Sequence, residues 1–341
     1  MGKKRPQKTD IEKFVIDNVE SHPSNIVSLV SSKFKISRQA ANRHVGNLVN
    51  EGALTAIGST KGRRYSLNKL VDRTFTFSLT DIAEDVVWRD HIRPLLEGTP
   101  VNILSICQYG LTEIVNNAID HSNGKTLKIN LARTVKRITM LVRDDGVGIF
   151  KKLKTELGFV DEIHAILELT KGKLTTDPKH HTGEGIFFAS RMYDTFTILS
   201  GSYSFTHQAK GDDWILDFED SKVVDGTVIW MVIDTNSTRT IQAVFDEYTS
   251  VLQDHAFSKT HVPVFLAKYG DENLISRSQA RRVLARLDRF KEVWLDFEKV
   301  ESIGQAFADE IFRVFKNEHP EIEIVFTNAN KQVESMIKRV K

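Results

Sequence analysis

The sequence has almost no cysteine and no long hydrophobic run. Its 341 residues contain a single cysteine, Cys107, so a disulfide framework and a multi-cysteine metal site are both excluded within one chain. Its longest apolar stretches, such as residues 228–233, fall far short of the roughly 20 residues that a membrane-spanning helix needs. The basic residues 1–5 are followed by a charged segment and not by the apolar core of a secretion signal. We therefore expect a cytoplasmic protein that makes no contact with a membrane.

Internal repeats and low-complexity tracts are also missing. Hydrophobic residues make up 40% of the chain and charged residues 27%, which are ordinary globular values and exclude disordered, collagen-like and coiled-coil proteins. At about 150 residues per domain, the length predicts two or three domains.

Charge is distributed unevenly although the net charge is only +2. Residues 1–70 contain 13 Lys and Arg against 5 Asp and Glu, whereas the remainder contains 34 against 40. A basic head favours a polyanionic partner, while the acidic remainder is not expected to bind nucleic acid in general.

The basic head carries three amphipathic patterns followed by a short β-ribbon. The patterns predict helices over residues 10–20, 25–33 and 37–50. Ser24 and Ser37 are the expected N-caps, and Gly52 is the expected helix stop. The ribbon is expected over residues 54–57 and 63–67, with its turn at residues 58–62.

The outer face of the third helix and the tip of the ribbon are polar and basic. The candidate DNA-contacting residues are Arg38, Gln39, Asn42, Arg43, Lys61, Arg63 and Arg64. A helix fits the major groove, Arg and Gln or Asn pair with guanine and adenine edges, and a basic ribbon can lie on phosphate or in the minor groove. The order of helices and hairpin resembles the winged helix-turn-helix domains of bacterial regulators, which implies DNA binding. A protein-interaction module with a solvated basic surface is the alternative.

A mixed α/β pattern begins at about Phe75. Helices are expected over residues 79–96 and 101–122. Strands are expected over residues 126–133, 137–143, 195–200, 203–206, 214–218 and 227–233. A polar stretch, residues 151–182, separates the second strand from a further helix that begins near Gly185.

Three motifs in this region bear on chemistry. Glu113, Asn117, Asp120 and His121 follow one face of the second helix. Asp144-x-Gly146-x-Gly148 comes after the second strand, and Gly183-x-Gly185 precedes a helix. In this order and spacing the motifs resemble the GHKL ATPase family, which includes DNA gyrase, heat-shock chaperones, mismatch-repair ATPases, histidine kinases and anti-sigma-factor serine kinases. The resemblance covers residues 75–235.

This resemblance implies an ATP and Mg²⁺ site. Asn117 would supply an oxygen to Mg²⁺, Glu113 would polarise the attacking water, and Asp144 would accept a hydrogen bond from the adenine amino group. The other residues expected at the nucleotide are Asp120, Gly146, Gly148, Thr182, Gly183 and Gly185. The glycines would admit close backbone approach and offer N–H groups to phosphate. Residues 151–182 would form a mobile lid carrying Lys171, Lys173, Lys179, His180 and His181.

The fate of ATP stays open at this point. The segment from Glu113 to His121 also resembles the anti-sigma-factor serine kinases, in which the glutamate activates a protein serine, and a switch that binds ATP without hydrolysis is a further alternative. The sequence around His91 lacks the acidic residue that follows the histidine in the His-box of histidine kinases, because Ile92 stands there. A P-loop at Gly124 is rejected because Ile119 occupies the place of its first glycine.

Strands and helices alternate again towards the C-terminus, which predicts a small α/β domain with a partly parallel sheet. Strands are expected over residues 262–266, 292–297 and 321–327, and helices over residues 276–290, 302–315 and 330–341. Residues 294–308 resemble the sulfate-transporter and anti-sigma-antagonist (STAS) fold, and more closely the STAS-like domain found beside GHKL ATPases. Phosphorylated antagonists carry a serine where this sequence has Gln305 and Ala306, so docking of a protein partner is the implied role.

The sequence thus predicts an α+β multidomain chain with three parts. These are a winged helix over residues 1–70, a GHKL (Bergerat-type) α/β sandwich over 75–238 and a small STAS-like α/β domain over 240–341. The expected function is that of an ATP-dependent regulator, in transcription or defence, in which slow hydrolysis couples nucleotide state to DNA binding. A homodimer is a possible assembly.

Overall fold

The computed structural model describes residues 7–59, 62–177, 182–211, 213–218, 223–249, 257–268 and 273–340. It is a mixed α/β chain of several domains. Its residues divide into two compact units: the first contains residues 1–75, 129–140 and 232–237, and the second contains residues 76–128, 141–231 and 238–341. No helix within the described ranges is both long enough and apolar enough to cross a bilayer.

The first unit contains three helices and an antiparallel hairpin. They are α1 (Lys8–Asn18), α2 (Ile26–Phe34), α3 (Arg38–Asn50), β1 (Leu54–Ile57) and β2 (Arg64–Leu67). Apolar residues from all three helices form one core, with Val15, Val30 and Val45 fully buried. The three predicted helices and the ribbon are confirmed.

The cap predictions for this unit are confirmed in part. Ser37 caps α3, because its Oγ accepts a hydrogen bond from the Ala40 N–H at 3.1 Å. Gly52 lies just beyond α3 with a φ of +75°, where a side chain would be strained. The prediction for Ser24 is wrong, since α2 begins one residue later, with Asn25 at its N-cap and no side-chain hydrogen bond there.

A seven-stranded sheet has the order β3-β4-β5-β9-β6-β7-β8. The strands are β3 (Val71–Ser78), β4 (Thr126–Arg133), β5 (Arg137–Asp144), β6 (Thr195–Gly201), β7 (Tyr203–Gln208), β8 (Trp214–Asp217) and β9 (Val224–Asp234). Burial alternates along β5 and β6, as expected for a sheet covered on one face. Strands β3, β4, β5 and β9 each contribute residues to both units.

The helices of this region in the second unit are α4 (Glu84–Val86), α5 (Val101–His121), α6 (Ile149–Leu157), α7 (Glu162–Lys171), α8 (Gly185–Met192) and α9 (Ile241–Tyr248). The predicted helix over residues 79–96 is wrong for residues 79–83, which are not helical. After α4 it continues as a π-helix, Val87–Ile92, and a 3₁₀ turn, Arg93–Leu96. Pro94 explains the tighter turn, because its nitrogen cannot donate an intrahelical bond.

The segment predicted to be a lid, residues 151–182, is largely helical where the structure describes it. Residues 151–157 belong to α6 and residues 162–171 to α7, and residues 165–171 are all buried. Two helices therefore stand where a mobile polar segment was expected. Lys179, His180 and His181 lie outside the described residues.

Three parallel strands, in the order β10-β11-β12, form the third sheet. They are β10 (Lys259–Pro263), β11 (Glu292–Asp296) and β12 (Glu323–Thr327). The accompanying helices are α10 (Arg277–Leu284), α11 (Gln305–Asp309), α12 (Lys316–Glu318) and α13 (Lys331–Val340), with a π-helix at Glu310–Phe315. The predicted alternation and parallel pairing are confirmed.

Several predicted boundaries in this last part are wrong, among them that of the helix expected from residue 302, which begins at Gln305. The strand expected over 262–266 ends at Pro263, and Val264–Ala267 forms a 3₁₀ turn. The helix expected over 276–290 ends at Leu284, because Arg286 adopts a left-handed φ of +61° that a helix cannot contain. A short 3₁₀ turn, Leu287–Arg289, follows.

Candidate functional site

A cleft in the second unit collects most of the predicted nucleotide residues. Its volume is about 1000 Å³, including the space at its open mouth. Seven of the residues predicted from the motifs line it: Glu113, Asn117, Asp144, Gly148, Thr182, Gly183 and Gly185. Residues from α5, the end of β5, the first half of β9, α6 and the start of α8 thus meet at one place.

Helix α5 forms one wall of the cleft. Glu113 and Asn117 are one helical turn apart and both line it. The Asn117 Nδ2 donates to the Glu113 backbone carbonyl at 2.7 Å, which fixes the orientation of the amide. Because the amino end is turned towards the helix backbone, Oδ1 is the atom of Asn117 that can act as a ligand or acceptor.

Asp144 lies at the end of β5 and is 7% exposed. Its Oδ1 accepts hydrogen bonds from the backbone N–H groups of Gly146 at 2.9 Å and Thr227 at 3.2 Å. Burial raises the pKa of the carboxyl group, although these two bonds oppose the rise. The Thr227 hydroxyl also hydrogen-bonds this carboxyl group. Both backbone bonds end on Oδ1, so Oδ2, which receives neither of them, is the oxygen better placed to accept from a ligand.

Two glycines allow the chain to close around these carboxylates. A side chain at Gly146 would overlap the Ser122 carbonyl oxygen at the end of α5. A side chain at Gly185 would overlap the Glu113 carboxylate. The first glycine therefore lets the Asp144 turn pack against α5, and the second brings the start of α8 against Glu113.

The start of α8 is a second polar border of the cleft. Gly185 and Ile186 begin this helix and line the cleft, and the first turn of a helix has N–H groups without intrahelical partners. Gly183 is held just before it, since its carbonyl accepts from the Leu174 N–H at 3.1 Å. Such a helix start is suited to anionic groups such as phosphates.

Lys152 and Thr227 are among the cleft residues that the sequence analysis missed. The Lys152 Nζ donates to the His121 carbonyl at 2.7 Å, which places an ammonium group in the cleft. Thr227 donates its N–H to Asp144 and accepts the Ile149 N–H on its hydroxyl at 3.1 Å. Lys152 lies one turn after Gly148 on α6, which is a spacing that could have identified it, whereas nothing local distinguishes Thr227.

Two predicted site residues do not line the cleft. Asp120 is exposed near the C-terminal end of α5. Gly146 lies in the turn after Asp144, where its backbone packs against Ser122 and not towards the cleft. Lys171, expected in the lid, is 1% exposed and pairs with Glu168. Its partner Glu168 lies on α7 and does not line the cleft.

Asp145 has a structural position. Its Oδ1 accepts the Lys125 and Thr126 N–H groups at 2.7 and 2.8 Å, and its Oδ2 accepts the Thr126 hydroxyl at 2.8 Å. These bonds from Thr126 and Lys125 lower its pKa to about 2. These hydrogen bonds to Asp145 therefore connect the start of β4 to the turn that follows Asp144.

The donor set of the cleft fits Mg²⁺ only if phosphate completes it. No group of three or more His, Cys, Asp or Glu side chains able to hold a metal ion occurs among the residues that the structure describes. Mg²⁺ commonly keeps several waters and takes one or two protein oxygens together with phosphate oxygens. Asn117 Oδ1 meets that requirement, and so does Glu113 beside it.

The candidate DNA-contacting residues that the structure describes in the first unit are all exposed. Arg38, Gln39, Asn42 and Arg43 are exposed on α3, and Arg63 and Arg64 are exposed at the start of β2. The Arg63 guanidinium lies 5.3 Å from the centre of the Tyr65 ring. Lys61 lies outside the described residues. The exposed residues offer amide and guanidinium donors that could contact base edges and phosphates.

One comparison with known proteins gave a match. Residues 279–334 match the family model of the STAS-like domain of unknown function (DUF4325). No curated protein matches the chain. The matched residues include most of α10 and all of β11 and β12, so these elements belong to a STAS-like domain.

Proposed function

We propose that this protein binds ATP with Mg²⁺ in the cleft, hydrolyses it slowly, and uses the nucleotide state to regulate DNA binding by its basic head. One observation carries the proposal: Glu113, Asn117, Asp144 and the two glycine motifs, separated by up to 72 residues in sequence, border one cleft. The same residue types in this order characterise the GHKL ATPases, which the sequence resembles.

The polar groups of the cleft suit the parts of the nucleotide. Asp144 Oδ2 is a buried acceptor for the adenine amino group. The start of α8 and the Lys152 ammonium lie on the cleft wall as partners for phosphate oxygens. Asn117 Oδ1 would be a ligand of Mg²⁺, which screens phosphate charge when bound.

Glu113 is the candidate general base. It lines the cleft against Gly185 at the start of α8. A carboxylate at this place can accept a proton from a water molecule beside the terminal phosphate. If a protein hydroxyl takes the position of this water beside the terminal phosphate, the Glu113 carboxylate would instead be the general base of a protein kinase.

The STAS-like domain offers such a kinase no hydroxyl at the first two residues of the helix after the loop, and Ser302 lies nearby but out of that register. Gly304 precedes α11, and Gln305 and Ala306 are its first residues. Neither can carry phosphate, so hydrolysis is favoured over phosphorylation of this junction. Phosphorylation of a separate protein is the alternative, and an experiment must distinguish it from hydrolysis of ATP.

The ATP proposal is tested by measuring Mg-ATP binding and phosphate release side by side. Glu113→Gln should bind ATP and lose phosphate release by about 100-fold or more, because general base catalysis contributes about 10²–10⁴-fold. Asp120→Asn is the matched control: it changes one carboxylate on the same helix, outside the cleft, and should leave both quantities unchanged.

Three other outcomes have distinct meanings. No binding of Mg-ATP by the unchanged protein refutes the proposal. Binding without phosphate release in both the unchanged protein and Glu113→Gln identifies a non-hydrolysing switch. Transfer of radiolabelled phosphate to a second protein identifies a kinase.

The DNA part of the proposal is tested by the salt dependence of duplex binding. Replacing Arg38 and Arg43 by Ala should weaken binding and lower the slope of log K against log salt by up to about 2, since each phosphate contact contributes about 0.9. Lys8→Ala is a control in the same unit, because Lys8 pairs with Glu12 and Glu51. Equal binding with and without ATP would refute regulation by the nucleotide.

A further inference from the structure

A buried ion pair joins the end of α7 to the STAS-like domain. Glu168 is 0% and Lys171 1% exposed, and their side chains are paired. The Lys171 Nζ also donates to the carbonyls of Arg282 at 3.1 Å and Ala285 at 2.9 Å. These carbonyls lie at the end of α10, where they lack intrahelical partners and attract a cation.

Two arginines of the STAS-like domain hold the backbone that follows α7. Arg286 bonds the Glu168 carboxylate at 3.3 Å through Nη1 and donates from Nη2 to the Lys173 carbonyl. Arg289 donates to the same carbonyl at 3.0 Å. Lys173 in turn donates from its Nζ to the Arg289 carbonyl at 3.0 Å. One carbonyl oxygen thus receives two guanidinium donors.

The other side of the same peptide group faces the cleft. The N–H of Leu174 donates to the Gly183 carbonyl at 3.1 Å, and both residues line the cleft. The Lys173 carbonyl and the Leu174 N–H belong to one planar peptide group. This group cannot turn its carbonyl away from the arginines without also turning its N–H away from Gly183.

We infer that Arg286 and Arg289 are positioning residues for the phosphate side of the nucleotide cleft, acting through the Lys173–Leu174 peptide group. The inference rests on the proposed nucleotide function. Gly183 leads into the start of α8, whereas Asp144 lies at the end of β5 and bonds Thr227 of β9. The arginines therefore act on the segment assigned to phosphate and leave the adenine acceptor untouched.

The expected effect is selective for the phosphates. Arg286→Ala should weaken ATP binding by about tenfold, within the roughly 5- to 150-fold range of couplings between sites. Adenosine binding should stay within about twofold. Arg286→Lys should give an intermediate loss, because a lysine cannot bond Glu168 and Lys173 with one planar fork. A general loss of stability would not change the ratio of the two affinities in this way.

The experiment uses the full chain and compares Kd for ATP and for adenosine across four variants. Arg289→Ala is the second test, since Arg289 is exposed and its removal leaves the Glu168 pair in place. Arg281→Ala is the matched control: Arg281 lies on α10, pairs with Glu310 at 2.7 Å and does not contact the Lys173 carbonyl. Its Kd values should equal those of the unchanged protein.

Hydrogen exchange at the Leu174 amide, measured without nucleotide, separates this inference from the proposed function. Faster exchange in Arg286→Ala or Arg289→Ala than in Arg281→Ala supports the positioning role. Unchanged exchange in both, or an equal loss of ATP and adenosine binding, overturns it. If the unchanged protein binds no ATP, the proposed function fails while the exchange result still decides whether the arginines hold this peptide.

Discussion

Replacing Asp144 by Asn is the sharpest test of the adenine acceptor. The two side chains have nearly the same shape, and the asparagine Oδ1 can still accept the N–H groups of Gly146 and Thr227. What changes is the second atom, where an NH₂ group replaces the carboxylate Oδ2. An acceptor towards the cleft thereby becomes a donor.

The size of the effect follows from these bonds. A hydrogen bond to a charged group contributes about 1.5–3 kcal/mol, and a buried group left without a partner costs about 1–3 kcal/mol. We expect Asp144→Asn to lose about 2–4 kcal/mol of ATP binding, which is roughly a 30- to 700-fold rise in Kd. The fold should lose less than about 1 kcal/mol, because the backbone bonds survive and a charge disfavoured by burial is removed.

Calorimetry with Mg-ATP and Mg-GTP, together with thermal unfolding, measures these effects. The relative affinity for GTP should rise in Asp144→Asn, because the new NH₂ group can donate to the guanine carbonyl. Asp145→Asn is the control, since it makes the same change one residue away, outside the cleft. Equal ATP affinity in Asp144→Asn and the unchanged protein, with both folded, would refute the role of Asp144.

Burial raises the pKa of Asp144, which gives the same site a pH signature. Protonation removes the acceptor, so ATP affinity should fall on acidification, beginning above the ordinary aspartate pKa of about 3.9. The asparagine in Asp144→Asn cannot gain a proton in this pH range, so the ATP affinity of this variant should not show that fall on acidification. Binding isotherms at several pH values with both proteins check this sign.

Two further predictions concern stability. The lowered pKa of Asp145, about 2, means that its stabilisation is present above the unfolded value of about 3.9 and lost as pH falls towards 2. Asp145→Asn should therefore lower the urea midpoint at pH 5 and converge with the unchanged protein near pH 2; a constant difference would contradict this. Lys171→Met removes the ammonium partner of the buried Glu168 carboxylate, leaves it bonded to Arg286, and should cost up to about 3–5 kcal/mol in urea unfolding. Glu168→Gln combined with Lys171→Met should recover much of that loss, and simple additivity of the two changes would show that the side chains do not act as a pair.

Local signals were sufficient where a helix or strand is delimited by its own residues. Helix α5 runs from Val101 to His121, within one residue of the prediction, between Pro100 at its N-cap and the turn before Gly124. Strand β4 has the predicted bounds. In both cases periodicity, proline and glycine act within the segment itself, so no distant contact is needed to set the ends.

Helix α7 shows why composition misled at the supposed lid. Its glutamate, lysine and threonine residues read as polar surface, yet the helix is buried. Lys171 can be buried because Glu168 pairs with it and two carbonyls more than 110 residues away accept its remaining hydrogens. Such compensation depends on tertiary structure and leaves no trace in the local sequence.

The candidate site also contains some residues that the local sequence could identify and others that depend on tertiary contacts. The glycine motifs were recognisable because close approach of the backbone restricts the residue type at each position. Asp120 was included because it shares a helix face with Glu113, but its side chain is exposed and does not line the cleft, although the next residue, His121, does. Thr227 was missed because its role arises only when β9 and β5 pair side by side.

The Lys173–Leu174 peptide group connects the STAS-like domain to the cleft through hydrogen bonds. Since one planar group bonds to Arg286 and Arg289 on one side and to Gly183 on the other, a partner that moves these arginines should also move Gly183, which we propose borders the nucleotide phosphates. Coupling of this kind is reciprocal: if ATP tightens the binding of such a partner by some factor, the partner tightens ATP by the same factor. A partner that binds the STAS-like domain equally well with and without ATP would therefore leave ATP affinity unchanged, however tightly it binds. Measuring either affinity in the presence of the other ligand fixes both.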